Sequence, residues 1–246
     1  NTDSVVVTIN SLPTASVSND TTICVGDTAS LVASGGTTYQ WSPDSTLSNA
    51  FIAAPNAFPT LSATYQVIVS NANNCSDTTQ VTVTVNPSPT IDAGLDQTIC
   101  IGDTVQLGAS GGLFYLWTPA DSLSATTTAD PFAWPTDSTQ YIVTGTDANG
   151  CSSSDTVNVF VNPLPAVDAG PASSICLGDT AQLDASGADS YSWSPSGSLS
   201  NAAISNPLAF PTVNTTYTVV ATDTNGCVNT DSVVVTINSL PTASVS

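Results

Sequence analysis

The chain has 246 residues, with 19 acidic side chains and no Lys, Arg or His, which gives a formal net charge of −19 at pH 7. Only 8% of the residues are charged, against roughly 25% in an average soluble protein. Hydrophobic residues make up 41%, too large a share for a disordered acidic tail, so we expect packed cores. Without cations the chain cannot neutralise phosphates and is repelled by anionic lipid, so we predict no nucleic-acid partner. No run approaches the ~20 apolar residues of a membrane span, so we predict no membrane insertion.

The missing residue types also exclude most catalytic chemistry. Histidine is the commonest general base, and without it the chain contains neither a Ser-His-Asp nor a Cys-His pair. Lysine-dependent reactions are excluded in the same way, because the chain has no lysine. We therefore predict that the protein is not an enzyme and that it needs no cofactor, apart from a weak calcium candidate described below.

A 76-residue repeat organises the sequence. The string Ile-Cys-x-Gly-Asp-Thr begins at Ile23, Ile99 and Ile175, and the other three cysteines follow the same step. Residues 1–18 are identical to residues 229–246, which lie three repeats further along the chain. Such self-similarity is the signature of a repeat array, and we interpret the chain as a window onto a longer one.

The repeat predicts three modules and two partial ones. Residues 13–88, 89–164 and 165–240 are assigned to modules 1, 2 and 3. Residues 1–12 are predicted to be the last strand of a preceding module, and residues 241–246 the start of a following one.

Short strands separated by turns fill each module in chain order. Apolar and polar residues alternate over residues 5–9, 29–33, 39–41, 65–69 and 81–85, and alternation with a period of two indicates half-buried strands. Asn-Gly pairs between the last two strands of modules 2 and 3 predict hairpins. No stretch has a sustained apolar period of about 3.6 residues, so we predict an all-β chain.

Each module is predicted to be an immunoglobulin-like β-sandwich. Six or seven short strands in each module, with Trp41 on the third strand and Tyr65 opening the sixth, are typical of that fold. Trp41 is interpreted as a core residue and not as part of a sugar-stacking face, and the position of Tyr65 fits a tyrosine corner. A core of this size is modest, so we expect disulfides or neighbouring modules to add stability.

A specific set of motifs carries a family resemblance. In module 3 the motifs are ICLGDT at 175–180, ASG at 185–187, YSWSP at 191–195, TYTV at 216–219 and NGC at 225–227. This set resembles the PKD-like, immunoglobulin-like tandem repeats of giant bacterial surface adhesins, which are typically exported by type IX secretion. The resemblance covers all three modules and implies a secreted, extracellular or cell-surface stalk, adhesin or filament without catalytic residues. Module 1 departs from it at the hairpin, with Asn-Asn-Cys in place of Asn-Gly-Cys.

Six cysteines in an exported chain predict a disulfide framework. Several pairings respect the repeat: one lies within a module, as Cys24–Cys75, and another joins neighbours, as Cys24–Cys151 and Cys100–Cys227. In a sandwich Cys24 is expected at the far end of its module, and the hairpin of the next module abuts that end. This placement favours the pairing between modules and leaves the intra-module pairing open. The predicted disulfide cysteines are Cys24, Cys75, Cys100, Cys151, Cys176 and Cys227.

The hairpins of modules 2 and 3 also carry a weak calcium candidate. Asp147 with Asn149, and Asp223 with Asn225, offer oxygen ligands of the type that Ca²⁺ prefers. The spacing matches neither an EF-hand nor a calcium-binding nonapeptide, and Asp and Asn also bond their own backbone in turns. Turn chemistry therefore stays open as the alternative.

Several Asp-Ser and Asp-Thr steps resemble the O-glycosylation signal of bacteria that carry such adhesins. The alternative is that Gly-Asp-Thr simply makes the turn before the second strand. A glycan also needs an exposed hydroxyl group. The candidate attachment residues are Thr28, Thr104, Ser122 and Thr180.

These observations predict a structural repeat segment of a long extracellular fibre or adhesin stalk, which self-assembles into a filament. Its expected partners are identical repeats of the same chain or of neighbouring chains. The alternative is a ligand-binding cell-surface array that recognises glycans or proteins. Binding loops usually vary in length, whereas all three modules have the same length, so the sequence favours spacing over recognition.

Overall fold

Strands make up the regular secondary structure of this protein. The computed structural model describes residues 3–239, and within them it contains twenty strands and no helix. The all-β prediction is therefore confirmed. It follows that the same residues include no helix long and apolar enough to cross a membrane.

The three modules share six strands, and module 1 has two further short strands, β1 and β4, in whose place modules 2 and 3 have isolated bridges. Module 1 contains β1 (Ser16–Val17), β2 (Thr21–Cys24), β3 (Ala29–Ser30), β4 (Ala33–Ser34), β5 (Thr38–Ser42), β6 (Asn56–Ala57), β7 (Ala63–Ser70) and β8 (Ser76–Asn86). Module 2 contains β9 (Gln97–Cys100), β10 (Val105–Gln106), β11 (Phe114–Thr118), β12 (Phe132–Ala133), β13 (Thr139–Thr146) and β14 (Ser152–Asn162). Module 3 contains β15 (Ser173–Cys176), β16 (Ala181–Gln182), β17 (Ser190–Ser194), β18 (Leu208–Ala209), β19 (Thr215–Thr222) and β20 (Val228–Asn238).

Each module folds as a sandwich of one four-stranded sheet and one layer of short paired strands. In module 1 the order of the large sheet is β2-β8-β7-β5, in which β2 runs parallel to β8 and the other pairs are antiparallel. The opposite layer consists of the pairs β1-β4 and β3-β6. Modules 2 and 3 repeat the large sheet as β9-β14-β13-β11 and β15-β20-β19-β17. The predicted immunoglobulin-like sandwich is therefore confirmed.

The alternating segment at residues 29–33 forms two strands instead of one. Its start, β3, pairs with β6, whereas its end, β4, pairs with β1. Between them the Leu31 N–H donates to the carbonyl of Pro55 at 3.0 Å. The change of partner interrupts the ladder, and the sequence does not reveal it because the burial of alternate side chains continues through the break.

The core of each module lies between the two layers. On β7 the side chains of Tyr65, Val67 and Val69 are fully buried, and the residues between them are exposed. Trp41 is 2% exposed and its indole N–H donates to the carbonyl of Ile52 at 2.9 Å, so it is a core residue as predicted. The equivalent residues of modules 2 and 3 are buried with the same kind of bond: Trp117 and Trp193.

The buried tyrosine does not form the tyrosine corner that its position predicted. A tyrosine corner bonds to backbone a few residues upstream, but the Tyr65 hydroxyl lies 2.6 Å from Oγ1 of Thr46, 19 residues earlier. In module 3 the hydroxyls of Tyr217 and Ser198 make the same contact at 2.5 Å. The tyrosine therefore ties the large sheet to the segment that crosses from β5 to β6, or from β17 to β18.

Residues 3–12, predicted as the last strand of a preceding module, form no strand in this structure. Val5, Val7 and Ile9 are 89%, 80% and 93% exposed. Within the described residues no strand pairs with this segment. The predicted start of a following module, residues 241–246, lies outside the described residues, and the module limits stay predictions.

Candidate functional site at the module joints

A disulfide crosses each joint between consecutive modules. Cys24 of module 1 is bonded to Cys151 of module 2, and Cys100 of module 2 is bonded to Cys227 of module 3. In both bridges the Cα atoms lie 5.5 Å apart, and the two cysteines are 127 residues apart in sequence. Of the pairings that the sequence left open, the structure contains the one between modules. Each joint therefore has two covalent connections, the backbone and the bridge.

The parallel edge strand places the first cysteine of each bridge. Cys24 is the last residue of β2 and lies opposite Asn86, the last residue of β8. The Val25 N–H donates to the Asn86 carbonyl at 2.9 Å, which extends the pairing by one bond. Because β8 leads into the joint, Cys24 is held beside the point where the chain leaves for module 2. Cys100 has the same position opposite Asn162.

A tight hairpin places the second cysteine of each bridge. In module 2 the hairpin joins β13 to β14, and Oδ1 of Asp147 accepts the N–H groups of Asn149 and Cys151, both at 2.9 Å. The Cys151 carbonyl accepts the Asp147 N–H at 2.9 Å, so both ends of the loop are closed. Cys151 is only 1% exposed. The same bonds recur in module 3 around Asp223.

The hairpin also sets the charge state of its aspartate. Desolvation acts to raise the pKa of Asp147, but the N–H groups of Cys151 and Asn149 donate to the charged carboxylate. Together with the side-chain amide of Asn149 they outweigh the desolvation and lower the pKa below its ordinary value. The carboxylate that holds the hairpin is therefore ionised at neutral pH.

The calcium candidate coincides with these hairpins. Oδ1 of Asp147 and of Asp223 accept two backbone N–H groups each, and the amides of Asn149 and Asn225 donate to the other carboxylate oxygens at 3.3 and 3.4 Å. Each hairpin thus offers one carboxylate already engaged in hydrogen bonds, whereas Ca²⁺ takes roughly 6–8 oxygen ligands. In the part of the chain that the structure describes, no three acidic or cysteine side chains cluster as a metal site. These residues fit the turn alternative better than a calcium site.

Three of the four glycosylation candidates lie on the surface. Thr28, Thr104 and Thr180 are exposed in the loop that follows the edge strand, and Ser122 is half-buried. The loop is also a turn, in which the Asp27 N–H donates back to the carbonyl of the bridging cysteine at 3.0 Å. Exposure meets the geometric requirement for a glycan at the three threonines. Attachment itself stays a prediction.

A carboxylate on the last strand holds the first segment of each module, a contact that the sequence analysis missed. Oδ2 of Asp155 on β14 accepts the Ala93 N–H at 2.9 Å, and Oδ2 of Asp231 on β20 accepts the Ala169 N–H at 2.8 Å. The bond from the alanine, followed by one from the residue after the aspartate, lowers the pKa of both carboxyls. The sequence did contain a signal for this contact: the aspartate lies within a strand that also carries several valines, and Asp is normally depleted in strands.

Module 1 makes the same contact two residues earlier. Asp77 accepts the Ala15 N–H at 2.9 Å across 62 residues, the separation found in the other modules. The residues that align with Asp155 and Ala93 one repeat earlier are Thr79 and Val17. The donor and the acceptor have moved together, so the contact is kept although a column-by-column comparison of the repeats misses it.

An apolar cleft of about 490 Å³ opens beside the first joint. Val25, Leu61, Val85 and Pro87 supply its apolar lining. None of the lining residues is titratable, so the cleft offers no general acid or base.

Two of the predicted disulfide cysteines are unpaired in the described chain. They are Cys75, the hairpin cysteine of module 1, and Cys176, which ends β15 of module 3. Cys75 is half-buried, whereas the bonded hairpin cysteines Cys151 and Cys227 are 1% and 0% exposed. The bonded hairpin cysteines are thus more deeply buried than the free one.

Residues 12–87 match a family model described as an Ig-like domain, CHU_C associated. This span corresponds to module 1, and modules 2 and 3 repeat its large sheet and its bridged joint. The chain is a tandem array of immunoglobulin-like repeats. The resemblance carried by the motifs is thereby confirmed. No curated protein matches the array.

The array is similar to several solved structures at low identity. The N-terminal eight Ig domains of the Down Syndrome Cell Adhesion Molecule are 17% identical, with a TM-score of 0.36 over 91% of the array and 35% of that chain. A Ca²⁺-stabilised adhesin with which an Antarctic bacterium binds ice is 12% identical, with a TM-score of 0.38 over 93% and 74%. The human desmocollin-1 ectodomain is 13% identical, with a TM-score of 0.28 over 92% and 59%. The array spans about a third of the first of these chains.

Proposed function

We propose that the array is a structural segment of a long extracellular fibre or adhesin stalk, and that copies of it assemble into a filament. The observation that carries this proposal is the recurrence of one bridge, at the same place and with the same Cα separation, at both joints. A bridge beside a short linker restrains the orientation of each module relative to the next. A segment of this kind keeps consecutive modules at a fixed distance and orientation, which a fibre requires.

The linkers support the same role. The chain passes from Asn86 into module 2 through Pro-Ser-Pro, and from Asn162 into module 3 through Pro-Leu-Pro. Proline fixes its φ angle near about −65°, and proline-rich linkers act as semi-rigid spacers. Backbone stiffness and the bridge therefore restrain the same joint.

The composition supports an extracellular location and ordered assembly. Disulfides form and persist in oxidising environments such as the cell exterior. A net charge of −19 without any cation opposes random association between copies, since no intermolecular salt bridge is available to offset the repulsion. Contacts between copies must therefore come from specific surfaces.

Small-angle X-ray scattering of the purified array tests the spacing role. Reduction should broaden the distribution of interatomic distances, because the joints bend, while the fluorescence of the buried tryptophans stays native. The C24S/C151S variant is the matched control, since it frees the first joint and leaves Cys100–Cys227 intact. A scattering curve that reduction leaves unchanged contradicts the proposal.

Electron microscopy of the concentrated, oxidised array tests the filament. We expect regular filaments whose repeat along the axis is a multiple of one module. Isolated particles at every concentration, under conditions that keep the modules folded, would show that the array does not assemble by itself.

A second candidate function is recognition of a glycan or protein by module 2. On the outer face of its large sheet Phe114 and Leu116 are 66% and 51% exposed, beside Leu113 at 59%. The equivalents of the first two in module 1 are Thr38 and Gln40, so the patch belongs to one module and not to the repeat. A glycan array probed with the chain and with F114T/L116Q tests this function. Binding that the variant loses favours recognition, and no binding by either protein excludes it for glycans.

A further inference from the structure

Within residues 3–239, the outer faces of the three large sheets carry no charged side chain. Of the 19 acidic residues, only Asp77, Asp155 and Asp231 lie on strands of these sheets. Each stands an even number of residues from the buried valines of its strand, and residues with that spacing share one face. All three carboxylates therefore belong to the inner side, where they hold the first segment of their module. The outer faces are neutral although the net charge of the chain is −19.

Hydroxyl and amide side chains cover most of these outer faces. In module 1 Gln66 lies opposite Gln80. On the same two strands Thr64 lies opposite Thr82, and their hydroxyl oxygens are 3.2 Å apart. A hydroxyl or an amide both donates and accepts hydrogen bonds, whereas a carboxylate only accepts them. Because the chain has no cation to supply donors, a face of this kind can bond to a copy of itself and an acidic surface cannot.

Module 2 adds apolar side chains to its outer face. Ile142 on β13 is 40% exposed, in addition to the exposed Phe114 and Leu116 on β11. Leu116 lies opposite Thr144, two residues from Ile142, so Leu116 and Ile142 are diagonal neighbours roughly 7–8 Å apart. Phe114 is two residues before Leu116 and faces the same side. The three side chains form one apolar patch, and we call the outer face of this large sheet the neutral face.

We propose that the neutral face is a lateral contact, at which module 2 of one copy of the chain packs against module 2 of a second copy. The same surface then serves both copies, as it does in two-fold symmetric pairs. This inference rests on the proposed function and deepens it by naming one contact between neighbouring chains of the filament.

Electrostatics favours a second copy at this face. Two chains of charge −19 repel each other, and no orientation brings opposite charges together because neither chain has a cation. Contact through any acidic surface would also remove carboxylates from water without a partner. The neutral face avoids this cost, because the nearest aspartates along β13, Asp137 and Asp147, lie beyond its two ends and stay at the rim of the contact.

The area of the neutral face determines how strong one contact is. The sheet has four strands about 4.8 Å apart, and the eight residues of β13 rise about 3.4 Å each, which gives a face of roughly 19 by 27 Å. Two such faces bury about 1,000 Å² between them, at the lower limit for a specific interface. A single contact is therefore weak, and several contacts along two filaments reinforce one another.

A neutral polysaccharide is the other occupant that an uncharged face would accept. Sugar rings stack on aromatic side chains, and the neutral face has two, Phe114 and Phe160. Phe114 is level with Ser152 at the start of β14, and Phe160 is eight residues further along that strand, roughly 27 Å away. The middle of the face therefore offers hydroxyl and aliphatic groups instead of a row of rings, which favours a second copy.

Sedimentation equilibrium of the oxidised C75S/C176S chain tests the contact. These substitutions remove the two thiols that are unpaired in the described chain, so that no disulfide joins copies. Between 0.1 and 1 M NaCl the screening length falls from about 10 to 3 Å, and the dimerisation constant should rise about tenfold or more. A chain that stays monomeric up to about 1 mM in 1 M NaCl overturns the proposal.

F114T/L116Q tests the apolar patch in the same background. It gives module 2 the residues that module 1 has at these positions, and it should lower the dimerisation constant about tenfold or more. The control F51T/L61Q makes the same changes in module 1, at side chains that are 70% and 80% exposed, and should leave the constant unchanged. Equal losses in both variants would show that general apolar exposure, and not the neutral face, drives association.

S154D tests the neutrality of the face. Ser154 is an exposed residue of β14 opposite Thr144, so each copy would bring one carboxylate into the contact. The control S196D adds the same charge in a loop of module 3, at the position where module 1 has Asp44. Urea unfolding confirms that both variants are folded. S154D should abolish the dimer and S196D should keep it, and equally strong dimers from both would contradict the proposal.

Failure of this contact is distinguishable from failure of the proposed function. The stiffness of the joints is read separately, from scattering by C75S/C176S before and after reduction in 0.1 M NaCl. If reduction loosens the joints but no dimer forms at high salt, the stapled array stands and the lateral contact is wrong. If reduction has no effect, the proposed function is wrong even where a dimer forms. Glycan binding that F114T/L116Q loses, without any dimer, assigns the neutral face to a glycan and overturns the contact between copies.

Discussion

Aspartate provides all the side-chain charge of this chain, and no cation is present to pair with it. Its carboxylates instead accept backbone N–H groups, as Asp155 and Asp231 do from the first segment of their modules. Such hydrogen bonds favour the charged form of a carboxyl. The attachment of the first segment to the last strand therefore depends on ionisation.

Acid should accordingly weaken the modules. The N–H groups of Ala93 and Thr156 lower the pKa of Asp155 in the folded state. Its contribution to stability is then complete above the unfolded pKa of about 3.9 and is lost as the pH falls through the lower folded value. The urea midpoint should stay level down to about pH 5 and decrease below about pH 4. D155N should reduce both the urea midpoint at pH 7 and the dependence of that midpoint on acid. The control D44N, in an exposed loop, should change neither. If D155N keeps the acid dependence of the unaltered chain, this assignment is wrong.

The tryptophans offer a test of the core at single-residue scale. Trp117 is fully buried, whereas Trp134 is 44% exposed in the same module. W117A should cost about 3–5 kcal/mol, because it leaves a large cavity and an unpaired carbonyl. W134A should cost about 1 kcal/mol or less. Urea unfolding of both variants gives the difference, and equal losses would refute the assignment of Trp117 to the core.

At the scale of elements, the large sheets could be predicted from sequence and the opposite layers could not. Tyr65, Val67 and Val69 alternate with exposed residues because one face of β7 is buried and the other is solvated. Whether a short strand forms in the opposite layer depends on which segment lies close enough to pair with it. Thus β3 pairs with β6, and β4 pairs with β1. That choice is made by the path of the crossing segment, which no local pattern specifies.

The disulfide pairing at the joints could be predicted from sequence in part, whereas the edge strand that positions the cysteine could not. The expected sandwich put Cys24 at the far end of its module, which favoured Cys151 as its partner. The parallel edge strand that holds Cys24 beside Asn86 was not predictable, because its residues pair with the last strand of the module, far along the chain. The carboxylate contact in module 1 was hidden because Asp77 and Ala15 are both displaced by two residues from the repeat.

Gly187, in the Ala-Ser-Gly motif, is an element-scale test of the packing between segments. Its φ is +93°, and a Cβ there would lie 1.9 Å from the carbonyl oxygen of Ala166. Because the obstructing atom belongs to the backbone, it cannot move aside as a flexible side chain could. G187A should therefore lower the free energy of unfolding by about 2–4 kcal/mol. Gly197 has open space around the same position, and G197A should stay within about 0.5 kcal/mol. Denaturant unfolding measures both, and a mild G187A would show that the two segments lie further apart.

For the whole molecule, the composition predicts complete resistance to trypsin. The chain contains no Lys or Arg, so the resistance should not depend on folding. The reduced chain in urea should keep its mass of 24.8 kDa after trypsin treatment. Chymotrypsin, which cuts after aromatic residues, should degrade the same sample. A tryptic fragment from within the chain would mean that the covalent sequence is wrong.

The placement of the bridges also governs how the array responds to tension. A pull on module 1 passes through Cys24–Cys151 directly into β14 (Ser152–Asn162), and from there into the linker to module 3. This shortest covalent route through module 2 is already an extended strand, so tearing the other strands apart releases no extra length. Without the bridge, the chain of one module could be drawn out to roughly 250 Å. Between its bridge and the linker, module 2 is therefore inextensible: it behaves as a tether whose length is limited by covalent bonds, and it does not lengthen by unfolding.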